Sequence, residues 1–329
     1  MSEMTPDEDR GYEERVCRIA DGDTTVVRDS NPQSKAVPIV LIHALGLDRR
    51  MWDDVFDRLG AGSSGGGGGG GVRVISYDLR GHGEAANTNT TTNGRAQVPV
   101  KDLEHLADDL RVLLDDCNIH KADIYGQSYG GAVAQYFALK YPDRTRSLGL
   151  ITTAGKSQPS WVTRATRAED AGSVAEPSLT DETLRRWFSA DAIRDDHPGV
   201  RYARGCLQRI SVKNWAEAWR CMSGLDTLDR LKRQGGFGKK CPVLLVCGVQ
   251  DASTGPEHMR RLRDACTSTS SGCEEGRDEA DEGKVGEKVV VPAVVQYKEL
   301  DPGVHMMALE QGEALAREIL EFRRLVNGK

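Results

Sequence analysis

Short runs of apolar residues punctuate this chain, separated by longer stretches in which apolar residues recur every three or four positions. Residues 37–42, 122–125, 147–152 and 242–247 are apolar runs of the first kind. Runs of that length suit strands buried on both faces of a parallel sheet. Residues 72–77 and 294–300 read as two further strands. Between the runs, 102–115 places Leu103, Leu106, Leu110, Leu113 and Leu114 on one helical face, and 131–141 and 310–326 also read as helices. Strand and helix in alternation predict an α/β fold with a doubly wound, mostly parallel sheet.

From 156 to 235 the strand pattern stops. Helical spacing takes over, with many arginines and the tryptophans Trp161, Trp187, Trp215 and Trp219. An all-helical insertion of this kind predicts a cap (156–235) set into a core made of 1–155 and 236–329. Such insertions are where substrate selection is commonly built. Two stretches, 62–71 and 266–288, are low in complexity and read as solvated loops. The glycine run in the first leads into a strand, and no Gly-Lys-Ser/Thr follows it, which argues against a phosphate cradle.

Composition narrows the function classes. The 329 residues are 38% hydrophobic, enough for one large domain carrying an insertion. A formal charge of −6, with Lys and Arg scattered among Asp and Glu, argues against nucleic acid or an anionic membrane as partner. The acidic first ten residues lack the apolar core of a secretory signal, and no run approaches the roughly 18 apolar residues of a spanning helix. The eight cysteines are irregularly spaced without a C-x-x-C pair, so reduced thiols in a cytoplasmic protein are expected, with no metal and no cofactor. A small molecule is the expected partner.

The chemistry centres on Gly126-Gln127-Ser128-Tyr129-Gly130, which joins the run at 122–125 to a helix. That strand–turn–helix setting exposes a serine hydroxyl on a tight turn and aims the Tyr129 N–H at a developing oxyanion. Serine needs a base, and the base needs an orienting acid; in this topology both follow the nucleophile, acid first. Asp251 closes the apolar run at 242–247, with Asp226 as its main rival. Of the seven histidines only His197, His258 and His305 follow Ser128. His305 lies between a strand and the final helix, which makes it the candidate base. The separation of 54 positions from Asp251 to His305 is long for one helix and one strand, and the 266–288 stretch accounts for the excess. The loop after 37–42 should supply a second oxyanion donor, the Leu45 N–H. His43 reads as a buttress of that loop, and Asp78 and Arg80 as residues tied locally in a rigid turn.

Taken together, the loop from His43 to Gly46, the stretch from Tyr77 to Gly83, the Ser128 elbow, the segment 141–146, the strand ending at Asp251 and the stretch 303–306 resemble the α/β-hydrolase superfamily. The resemblance covers nearly the whole chain outside the two low-complexity loops. Leu45, Gly46, Met51, Trp52 and Asp53, with Arg186 to Ser189 in the cap, are most similar to 3-oxoadipate enol-lactonases. The resemblance implies Ser128 as nucleophile, Asp251 and His305 as its partners, and Leu45 and Tyr129 as oxyanion donors. It also implies hydrolysis of a carboxylic ester or lactone through an acyl-enzyme. Trp187, Arg186 and Trp52 are the expected substrate contacts, and Arg185, Arg201 and Arg204 are further cations for an anionic substrate. The same residues would serve an O-acyltransferase, with an alcohol in place of water, or a receptor that keeps the triad without turnover.

Overall fold

The computed structural model describes residues 11–61, 72–86, 97–237, 241–268 and 294–328. Its strands are β1 (Glu13–Arg18), β2 (Thr24–Asp29), β3 (Ile39–Ile42), β4 (Val74–Tyr77), β5 (Ala122–Gln127), β6 (Thr145–Ile151), β7 (Val243–Gly248) and β8 (Val295–Leu300). They form one eight-stranded sheet in the order β1-β2-β4-β3-β5-β6-β7-β8. β1 pairs with β2 and β2 with β4 antiparallel, and every later pairing is parallel. The doubly wound expectation therefore holds, with an antiparallel hairpin added at one edge. That hairpin is missing from the apolar pattern because β1, Glu-Glu-Arg-Val-Cys-Arg, is mostly charged.

The core helices are α1 (Asp53–Ala61), α2 (Leu103–Asp116), α3 (Tyr129–Lys140), α10 (Pro256–Thr267), α11 (Met307–Glu310) and α12 (Gly312–Val326). The cap helices α4 (Ser160–Ala171), α5 (Pro177–Trp187), α6 (Ala190–Arg194), α7 (Pro198–Arg209), α8 (Val212–Ser223) and α9 (Leu228–Gln234) all lie between β6 and β7. α3 is buried from Tyr129 to Leu139. A helix apolar on all sides belongs in the interior, here against the middle of the sheet. The stretch 62–71 lies outside the described residues, as do 269–288. The remainder of the second expected loop needs correction. α10 continues through Thr267 and buries Cys266, because Met259, Leu262, Ala265 and Cys266 form the apolar stripe of that helix.

Charge is buried in pairs. Arg49 binds Asp78 at 2.8 Å, and Arg80 binds Asp109 at 2.7 Å and also Asp23. Asp78 and Arg80 are thus tied to distant elements as well as locally, which corrects the local reading. These pairs staple the N-terminal hairpin and α2 to the turn after β4. In β5, buried Asp123 accepts from Arg146 Nε at 2.7 Å, from Ser147 Oγ at 2.7 Å, and from Arg323 of α12. Among the described residues no helix is long and apolar enough to cross a membrane.

Removing one member of a buried ionic cluster strands the others in a low-dielectric interior. Asp123→Ala is expected to lower the unfolding free energy by about 3 kcal/mol, read from the urea midpoint. An unchanged midpoint would mean that Arg146 and Arg323 find water instead.

Candidate active site

β3 is the first parallel strand to form the centre of the sheet, with β4 added on one side and β5 on the other. At such a switch point the chain leaves adjacent strands in opposite directions and opens a crevice at their carboxyl ends. The loop after β3 and the turn after β5 face each other across it.

Ser128 occupies that second turn with φ +54° and ψ −112°. A non-glycine residue held at positive φ is strained, and such strain clusters at functional sites. Its neighbours make the turn possible. A Cβ at Gly126 would lie 2.1 Å from the Gly130 carbonyl oxygen, and one at Gly130 would lie 2.1 Å from the Ile42 carbonyl oxygen. Only glycine lets the first turn of α3 press this closely on its own strand and on β3.

His305 Nε2 lies 3.0 Å from Ser128 Oγ, and His305 Nδ1 lies 3.0 Å from Asp251 Oδ2. The structure thus brings together the three residues that chain order singled out. Asp251 sits in the loop after β7, where its Oδ1 accepts the Ser253 N–H at 2.7 Å and the Thr254 N–H at 3.1 Å. Burial opposes its ionisation, but the His305 imidazole and these two amides outweigh burial and hold its carboxyl below the usual range. The His305 carbonyl accepts from Gln127 Nε2 at 2.5 Å and from Thr152 Oγ1 at 2.9 Å. The Thr254 hydroxyl donates to the Thr152 carbonyl at 2.7 Å. Gln127, Thr152 and Thr254 carried no signal in the sequence, since a lone polar residue at a strand end or in a loop has no periodicity to betray it.

Tyr129 is the first residue of α3, so its N–H has no acceptor within the helix. The Leu45 N–H donates to nothing among the described residues. His43 holds this loop from beneath: its Nδ1–H donates to the Ala44 carbonyl at 2.8 Å and its Nε2 accepts the Leu79 N–H at 2.8 Å. Burial depresses its pKa to about 4, so the ring is neutral and a buttress, as expected. His82 stacks beside it at 5.2 Å, and burial and then His43 depress its pKa to about 3.

Above Ser128 and His305 the cap roofs a narrow cavity of about 20 Å³, walled by Trp161, Trp187 and Trp219 and by two arginines, Arg164 and Arg186. Trp187 and Arg186 therefore lie where the sequence suggested. Trp52 does not; it is fully buried in the core and absent from the cavity wall, because the turn Arg49–Trp52 directs it inward. Arg185 is exposed, Arg201 pairs with Asp196 at 3.1 Å and Arg204 with Asp181 at 3.0 Å, so these three serve the cap surface. Arg164 escaped notice because its segment reads as a solvated helix face. Asp226 bridges to Lys156, His258 contacts Gln158, and His197 caps α7, which leaves all three outside the site.

Arg164 and Arg186 have no carboxylate within ion-pairing distance among the described residues. Glu182, whose charge acts on both, is bound to Arg167 at 2.8 Å. Burial and then Arg164 lower the Arg186 pKa to about 10, and Arg186 Nε, Trp219 Nε1 and Ser253 Oγ are buried without a partner. Buried donors are almost always satisfied, so an unsatisfied group of this size asks for an acceptor from outside. Among the described residues no group of three His, Cys, Asp or Glu side chains is arranged to hold a metal.

The profile of the α/β-hydrolase fold matches residues 37–279. The chain belongs to the α/β-hydrolase family. This α/β-hydrolase is 28% identical over 238 residues to 3-oxoadipate enol-lactonase 1 of Acinetobacter baylyi, covering 71% of this chain and 78% of that one. It is 34% identical over 237 residues to the pimeloyl-[acyl-carrier protein] methyl ester esterase of a Neisseria meningitidis strain, covering 68% and 80%. Among solved structures, an enol-lactonase from Burkholderia xenovorans LB400 superimposes with a TM-score of 0.72 at 24% identity, covering 94% of this chain and 99% of that one.

Two outcomes follow from the geometry. Trp52→Phe is expected to lower stability by about 1–3 kcal/mol while leaving KM within twofold, read by urea unfolding and steady-state kinetics; a raised KM would return Trp52 to the substrate. The two depressed histidines also set a pH dependence. In the unfolded chain each titrates near 6.5. The unfolded state therefore binds protons that the native state refuses, and stability is full above pH ~6.5 and declines as pH falls toward 4. His82→Gln should flatten that decline by up to one proton, about 1.4 kcal/mol per pH unit, and an identical slope would show that His82 is protonated in the fold.

Proposed function

We propose that this α/β-hydrolase is a serine hydrolase that opens a carboxylic ester or lactone through an acyl-enzyme, and that its substrate carries a carboxylate, as an enol-lactone of the 3-oxoadipate type does. The relay Ser128–His305–Asp251, with both links at 3.0 Å, is the observation that carries the reading. His305 Nε2 takes the Ser128 hydroxyl proton as Oγ attacks the carbonyl carbon. Asp251 accepts the Nδ1–H, fixing the tautomer and stabilising the imidazolium. The tetrahedral oxyanion is received by the Leu45 and Tyr129 N–H groups, each worth about 3 kcal/mol in such a role. The imidazolium then gives its proton to the leaving oxygen. For an enol-lactone that oxygen leaves as an enol, whose tautomerisation to the ketone draws the step forward. Water, deprotonated by His305, releases the acid.

The carboxylate follows from the cavity rather than the relay. Among the described residues Arg186 and Arg164 lack carboxylate counter-ions, and Arg186 Nε is buried without a partner. Trp187 supplies apolar contact beside them. A reducing cytoplasm suits the seven described cysteines, all of them buried.

A fluorophosphonate is expected to label the wild type at Ser128 and to leave Ser128→Ala unlabelled, with at least a thousandfold loss of kcat, on the scale of about 10⁴–10⁶ known for triad deletions. Absence of labelling would end the serine-hydrolase reading. Across a panel, carboxylate-bearing lactones should be preferred to their methyl esters. Arg186→Leu should raise KM for the anionic members by about 10- to 100-fold, consistent with loss of a charged hydrogen bond. A preference for neutral aryl esters would refute the anionic substrate.

A further inference from the structure

The loop that carries Leu45 is gripped from above as well as from below. Tyr202 of α7 donates its hydroxyl to Asp48 Oδ1 at 2.7 Å and accepts the Asp48 N–H at 3.4 Å. Cys206 Sγ and Arg209 Nη2, on the same helix, stand 3.7 Å and 3.8 Å from Asp48 Oδ2. Asp48 also orders its own turn, accepting the Arg50 N–H at 3.0 Å. Burial opposes ionisation of Asp48, but the Arg50 guanidinium and the Tyr202 hydroxyl outweigh it and hold the carboxyl well below the usual range. It is a charged acceptor throughout the neutral range, and hydrogen bonds to charged acceptors are the strong ones.

A second cap helix meets the loop one residue after Leu45. Gly46 has φ +79°, and a Cβ there would lie 2.7 Å from Cζ3 of Trp215 in α8. The indole of Trp215 therefore lies flush on the backbone that follows the Leu45 amide. Between His43 below, Trp215 above and the Tyr202–Asp48 bond to one side, the peptide bearing the Leu45 N–H has little freedom left to turn. None of these cap residues lines the cavity over Ser128 and His305, so their effect passes through the loop.

We propose that Tyr202, acting through Asp48, is a positioning residue that sets the direction of the Leu45 N–H, so that the oxyanion hole is complete only while the cap is docked. This inference rests on the reading of Leu45 as an oxyanion donor. Donors of this kind stabilise the tetrahedral state rather than the bound substrate, so their misalignment appears in kcat.

The test is Tyr202→Phe in the full chain, which removes one hydroxyl and keeps the ring. We expect kcat for a small neutral ester to fall about tenfold with KM within threefold. Binding of an aryl boronic acid, whose tetrahedral adduct with Ser128 places an oxygen in the hole, should weaken by the same factor, while binding of the planar carboxylate product should not change. Asp48→Asn, which keeps an acceptor for the hydroxyl, should retain at least about a third of kcat. Arg204→Gln, which breaks the α7 surface pair with Asp181, controls for a general loosening of the cap and should leave boronate binding unaltered. Wild-type boronate affinity and kcat in Tyr202→Phe would overturn the proposal, as would equal weakening in Arg204→Gln. A wild type that neither binds boronate nor turns over ester would instead refute the hydrolase reading beneath it, whatever Tyr202 does.

Discussion

The arrangement depends on how closely α3 approaches β3. The carbonyl of Ile42 sits where a side chain at residue 130 would have to go. That contact fixes the turn between β5 and α3, forces Ser128 into its strained conformation, and brings the start of α3 beside the loop that leaves β3. Strain at one residue costs on the order of 1–3 kcal/mol, and it persists only where surrounding packing over-determines it. Here the fully buried helix and the fully buried strand supply that packing. The conformation of Ser128 is therefore a product of the sheet's centre rather than of a local loop.

Buried charge divides into two populations. Arg49, Arg73, Arg80 and Arg323 each face a carboxylate in the core, where they join elements far apart in sequence. Arg164 and Arg186 are partly withdrawn from water too, yet they share a cavity with aromatic rings and Ser128; Arg164 lies 4.8 Å from the Trp219 ring centre. The fold meets the desolvation cost of guanidinium with acids wherever the role is structural. Under the proposed function, the carboxylate of the substrate supplies the compensating charge in the cavity.

Much of this was legible in the sequence because it follows from periodicity and order. Four apolar runs and two mixed stretches marked the six parallel strands, with edges displaced by a residue or two where a strand continues past its apolar run, as at Gly126 and Gln127. The juxtaposition of Asp251 and His305 with Ser128 followed from their order along the chain. What escaped depends on direction in space. Arg164 and Arg185 look alike in sequence, but one turns into the cavity and the other to solvent. Trp52 fits a family pattern, yet its turn sends it into the core. The β1–β2 hairpin is held by ion pairs to residues far along the chain, and no local pattern announces such pairings.

One bond at the other side of the cavity has a mechanical consequence. The Met306 N–H, next to the histidine of the relay, donates to the carbonyl of Trp187 at 3.0 Å, and Ser189 binds Glu310 through Oγ at 2.5 Å and through its N–H at 3.1 Å. Three hydrogen bonds within a few residues join cap and core at that corner. Lifting the cap at that corner would break all three of them together. The seating of the cap at Trp187 and Ser189 and the placing of the segment that carries His305 are thereby a single constraint, although some 115 residues of chain separate the two.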